Sequence, residues 1–80
     1  MKIVIEAHPE RMTTMAFFDG MDNQLFPPMH CKIDEITNIV KSYCDEADIN
    51  EVYVGGNLQF AKRIAEKMQT EFTTINIKLI

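Results

Sequence analysis

The feature that most constrains this chain is an alternation of periods in its second half. Short runs of β-favouring apolar residues are separated there by stretches with helical spacing. Val52-Tyr53-Val54 lies between a stretch carrying Ile36, Val40, Tyr43, Cys44 and Ala47 and one carrying Phe60, Ala61, Ile64, Ala65 and Met68. Both sets recur every three or four residues, which lines one side of a helix. The closing segment TTINIKLI places Ile75, Ile77 and Leu79 on one face and Asn76 and Lys78 on the other, as an edge strand would. Helix, strand, helix, strand is the pattern of parallel pairing with right-handed crossovers.

The first third reads differently. Lys2 to Ala7, KIVIEA, has three consecutive β-rich apolar residues, which suits a central strand buried on both faces. Thr13 to Phe18, TTMAFF, is a second strand, and the short gap between the two favours an antiparallel hairpin. A long connection follows from Asp19, with a turn signal at Asp19-Gly20 and with Pro27-Pro28. A brief extra strand is placed at Gln24 to Phe26. The first helix is expected from Ile33 or Asp34 to Glu46, with Asp34 as N-cap. The second follows Asn57, its N-cap, and ends near Glu71.

The expected fold is therefore a single α/β domain over residues 1–80, ordered strand-strand-helix-strand-helix-strand. Two crossovers running in the same direction put both helices on one face of a mixed sheet, giving a two-layer sandwich. With 80 residues, such a domain buries only about 60% of the surface its unfolded chain exposes. The face without helices then matters. Phe17 and Phe18 point to opposite sides of their strand, and Val4 lies opposite Ile3 and Ile5. An apolar helix-free face calls for a protein partner or a second copy, through Val4, Phe17, Phe18 and Met29. The competing expectation is that Leu25 to Met29 fold over it.

This element order resembles the minimal ribonuclease H-like fold, shared by small nucleases, actin-like ATPase subdomains and nitrogenase-cofactor carrier proteins. The similar part is KIVIEAHPERMTTMAFF followed by helix, VYVGG, helix and INIKLI. A nuclease of that kind would hold divalent metal between acids at strand ends. Glu6 takes such a position, whereas Val52-Tyr53-Val54 supplies no acid and Asp19 sits at the far end of the hairpin. An actin-like phosphate loop needs glycines that HPERM lacks.

Gly55-Gly56-Asn57 is the candidate ligand corner. Glycines let a ligand approach the backbone, and a helix N-terminus offers free N–H groups to a small anion or nucleotide. It lacks the Lys and Ser/Thr of a phosphate loop and the third glycine of a dinucleotide fingerprint, so a plain turn capped by Asn57 is the favoured reading. His8 and His30 show no zinc-ligand spacing. A general base at His8 would need Glu6 or Glu10 to orient it. Lys62, Arg63 and Lys67, interleaved with Glu66 and Glu71, read as a solvated helix face. The acidic run Asp45, Glu46, Asp48 and Glu51 reads as a solvated loop, or as a dock for a basic surface.

The formal net charge of −4 opposes a nucleic-acid footprint. No apolar run approaches the roughly 20 residues of a membrane span, and MKIVIEAHPE is too short for a signal peptide. Two cysteines make no disulfide framework and are expected as reduced thiols in the cytoplasm, Cys44 in the core and Cys31 in an exposed loop. These readings combine into a non-catalytic binding or inhibitory module acting through protein contact. It would carry no cofactor and no metal, in the manner of small phage-encoded or bacterial accessory proteins. The alternative is an anion- or nucleotide-binding domain built on Gly55-Gly56-Asn57.

Overall fold

The computed structural model describes residues 1–9 and 12–80. Strand β1 (Lys2–Ala7) is antiparallel to β2 (Thr13–Phe18), with Ile3 opposite Phe17 and Ile5 opposite Met15. On its other side β1 runs parallel to β4 (Glu51–Gly56), which in turn runs parallel to β5 (Asn76–Leu79). A three-residue strand, β3 (Met29–Cys31), pairs antiparallel with β2. The sheet order is β3-β2-β1-β4-β5.

Alternation decides what each strand buries. Ile3, Ile5 and Ala7 of β1, Thr13, Met15 and Phe17 of β2, and Val52 and Val54 of β4 are buried on one face. Against that face pack α1 (Ile36–Tyr43), through Ile36 and Val40, and α2 (Leu58–Glu71), through Ala61, Ile64 and Met68. The two helices also touch each other. Both lie on one side of a single mixed sheet, and the protein is a two-layer α/β sandwich.

The helix boundaries have local causes. Asn57 caps α2: its Oδ1 accepts the Phe60 N–H at 3.2 Å. Asp34 is not the cap of the first helix. A turn of 3-10 helix at Ile33–Glu35 leads into α1, and the Glu35 side chain reaches back to accept the Lys32 N–H at 2.9 Å, as in a capping box on that turn. The helix also stops earlier than its periodicity suggests, at Tyr43. Cys44 takes an extended backbone, φ −158° and ψ 159°, while its N–H still reaches the Val40 carbonyl at 3.1 Å. Acids at Asp45, Glu46 and Asp48 oppose the negative end of the helix dipole, which accounts for the early stop. Ala47 consequently lies exposed rather than on the helical stripe.

Three further expectations need correcting. Residues Gln24 to Phe26 form no strand; Gln24 makes one isolated bridge to Phe18, and the third strand is Met29–Cys31 instead. Cys31 is therefore buried rather than exposed in a loop. Strand β1 is central but is buried on one face only, since Lys2, Val4 and Glu6 remain partly or fully open.

The long connection is stapled at its start. The Asp19 carboxylate accepts the N–H groups of Met21 and Asn23 at 2.8 and 2.9 Å. These backbone donors hold its pKa below the ordinary aspartate value. Further along, the Phe26 ring packs edge-on to Phe17 and tilts against Tyr43, with centroids 5.9 and 5.3 Å away. That places Phe26 on the helix side of the sheet.

Candidate functional site

At the Gly55-Gly56-Asn57 corner the chain itself occupies the space beside both glycines. A β-carbon at Gly55 would stand 2.8 Å from the Ile80 side chain. At Gly56, where φ is +90°, it would stand 2.4 Å from the Ala7 carbonyl oxygen. The Asn57 N–H donates to that same carbonyl at 2.9 Å, while its side chain caps α2. The corner closes β4 tightly over the end of β1 and starts the helix, and close backbone packing accounts for both glycines.

The helix-free face follows from the register. Opposed residues form one row of Phe18, Lys2, Glu51 and Asn76, and a second of Ala16, Val4, Tyr53 and Lys78. Val4 and Phe18 thus lie on this face as expected, half-buried. Phe17 and Met29 do not: Phe17 is fully buried under the helices, and Met29 pairs with Met15 and packs toward the same core. A two-residue side-chain period allows only alternate residues of β2 to share a face, so Phe17 and Phe18 cannot both lie there.

Charged groups interlace with the apolar ones. The Tyr53 hydroxyl donates to Glu51 Oε2 at 2.6 Å. That hydrogen bond, with desolvation second, raises the Tyr53 pKa above the usual phenol value. Lys2 Nζ pairs with Asp22 Oδ1 at 2.7 Å and lies 5.3 Å from the Phe18 ring centroid. Lys78 Nζ lies 5.8 Å from the Tyr53 ring and 3.9 Å from Glu51. A cavity of about 350 Å³ opens beside Gly55, bordered by Val4, Glu6 and Ile80.

A second, larger cavity lies on the helix side, at the end of β1. Its volume is about 610 Å³, and its walls include His8, Met12, Thr13, Lys32, Phe60 and Arg63. Ile33, Asp34 and Pro9 complete it. Arg63 and Phe60 stack, with the guanidinium 5.7 Å from the ring centroid. Sequence reading missed this site because its members come from four separate segments. The one local signal was Phe60 three residues before Arg63 on the same helix. The other cations of α2 do not border this cavity: Lys67 lies 3.9 Å from Asp34, and Lys62 is exposed outside its walls.

Of the remaining candidates, the structure brings only Glu6 and His8 near each other among the described residues. Glu6 is exposed and 3.9 Å from His8 Nε2, while Asp19 lies at the opposite end of the hairpin. Glu10, the other carboxylate considered for His8, lies outside the described residues. His30 sits 3.4 Å from the Thr14 hydroxyl. Burial raises the pKa of both thiols, Cys31 and Cys44, with nearby acids adding to the effect. The acidic run is used within the molecule: Glu46 accepts from the Thr74 N–H and hydroxyl, and the Asp48 carbonyl accepts from the N-terminal amine. Among the described residues, no three His, Cys, Asp or Glu side chains gather as a metal site would require. Among them too, no helix is long and apolar enough to cross a membrane.

Fold and sites together define a small two-layer α/β sandwich with one sheet face free of helices. The chain matches no family model, no curated protein and no solved structure.

Proposed function

We propose that the chain is a small non-catalytic binding module that works by protein contact through the helix-free face, with a second copy of itself as partner. One observation carries the reading. Val4, Ala16, Phe18 and Tyr53 form a half-buried apolar patch, and the segment placed to roof it directs Phe26 to the opposite side of the sheet. The molecule measures 30 × 26 × 22 Å, so a whole face is of the order of the roughly 800 Å² that a standard interface takes from each partner. The face carries both signs of charge, Lys2 and Lys78 beside Glu6 and Glu51. A two-fold axis can set such a patch against itself with opposite charges facing. The hollow beside Gly55 offers a socket for a partner side chain. Two free thiols suit a reducing, cytoplasmic setting, as in an accessory protein of a bacterium or phage.

Sedimentation velocity across a concentration series tests this. The expected result is a dimer at tens of micromolar that becomes monomeric in Val4→Glu, with the circular dichroism of the wild type kept. A wild-type protein that stays monomeric up to roughly 1 mM, where association would be worth only about 4 kcal/mol, overturns self-association.

A further inference from the structure

The larger cavity contains an unexplained polar group. Thr13 is 1% exposed, and its Oγ1 has no hydrogen-bond partner among the described residues. Buried hydroxyls are nearly always paired with protein, water or a ligand, so an orphan at a cavity wall is a place where a ligand oxygen can supply the missing partner. Thr13 lies on β2 on the helix side, with Cys31 of β3 as its register partner. Among the described residues, the cavity's cations are Lys32 and Arg63; both are exposed, and neither forms an ion pair with another described residue. Among the described residues that line it, the single carboxylate is Asp34, which lies 3.9 Å from Lys67. The described residues at the cavity therefore carry a positive balance, on a molecule whose formal net charge is −4.

The position fits as well: the cavity lies outside the carboxyl end of β1, beside the start of β2 and the first turns of α2. A volume of about 610 Å³ falls within the roughly 300–1,000 Å³ of small-molecule sites. The walls combine apolar surface from Met12, Ile33 and Phe60 with the polar groups named.

We propose that this cavity binds a small organic oxyanion, a carboxylate or phosphate ester with an apolar or aromatic body, whose charged end meets the Thr13 hydroxyl, Lys32 and Arg63. Thr13 donates to an oxyanion oxygen and thereby gains the partner it lacks. The two cations supply the charge, and the body of the ligand rests against Phe60 and Ile33. The site is separate from the helix-free face, so it stands or falls independently of self-association.

Backbone amide NMR titration of the full chain tests the proposal with three probes sharing a ring: phenyl phosphate, benzoate and the neutral benzyl alcohol. Saturable shifts at Thr13, Ile33 and Phe60 are expected for an anionic probe, with a dissociation constant of roughly 1 mM or tighter. Preference between phenyl phosphate and benzoate tells which oxyanion the site takes. The Lys32→Gln/Arg63→Gln double variant, altered only at exposed positions, should weaken binding at least about tenfold. Thr13→Val should weaken it several-fold, and Thr13→Ser, which keeps the hydroxyl, should restore it. Three results each overturn the proposal: shifts of equal size with benzyl alcohol, undiminished anion binding in Thr13→Val, or no saturable shift at these amides with either anion.

Discussion

At Gly56 a single hydrogen in place of a side chain lets two strands and a helix meet. Its φ of +90° is open to glycine and strained for any residue with a β-carbon. The carbonyl oxygen 2.4 Å from where that carbon would sit belongs to the backbone of β1 and cannot swing aside. Gly56→Ala should therefore cost at least about 2 kcal/mol. In a domain of this size each kcal/mol lowers Tm by about 4–8 °C, so a thermal melt reads the effect easily. Gly20 provides the contrast. Nothing lies within 4 Å of its β-carbon position, and Gly20→Ala should stay within about 0.5 kcal/mol of the wild type. Equal melting points for the two variants would mean that the corner does not need its glycine.

At the scale of elements, local chemistry sets where the helices begin and end. The α2 start rests on one side-chain hydrogen bond, from the Phe60 N–H to Asn57 Oδ1. Asn57→Ala should lower stability by about 1 kcal/mol, and Asn57→Asp should keep most of it, since aspartate caps as well and adds charge favourable to the dipole. Chemical denaturation of the three proteins checks this; an unchanged midpoint in Asn57→Ala would show that the cap contributes nothing. This helix and four of the five strands were legible in the sequence, because period and capping residue are both local signals. The short strand Met29–Cys31 was not. It has only three residues, it follows two prolines, and it exists because β2 offers an unpaired edge. Likewise the face occupied by Phe17 depends on register with Ile3, which no local pattern fixes. The cavity was hidden for the same reason, since Thr13, Lys32 and Arg63 have no spacing in sequence that would group them.

At the scale of the whole molecule, the helix-free face couples ionisation to folding and, through the self-association proposed above, to oligomeric state. Tyr53 has its pKa raised above 10.0, first by donating to the Glu51 carboxylate and second by desolvation. Lys2 has its pKa raised above 10.5, chiefly through its hydrogen bond to Asp22. In both cases the folded state holds the proton more tightly than the unfolded chain does. The stability linked to these groups is therefore fully present below about pH 10 and fades as pH climbs through the folded-state values. Tyr53→Phe removes the tyrosine share alone. The stability gap between wild type and Tyr53→Phe should thus narrow between about pH 9 and pH 12, measured by denaturant midpoints. A gap that stays constant over that range would mean that the hydrogen bond to Glu51 does not bias the proton. The same ionisation places a phenolate beside a carboxylate in the middle of the face proposed to pair with itself. Like charges facing each other across a two-fold axis repel, so the wild-type dimer should dissociate over this alkaline range while the fold persists. Tyr53→Phe, unable to ionise there, should hold its dimer to higher pH than the wild type does. Sedimentation at matched protein concentration separates that outcome from simple unfolding, and loss of both dimers at the same pH would place the titrating group elsewhere.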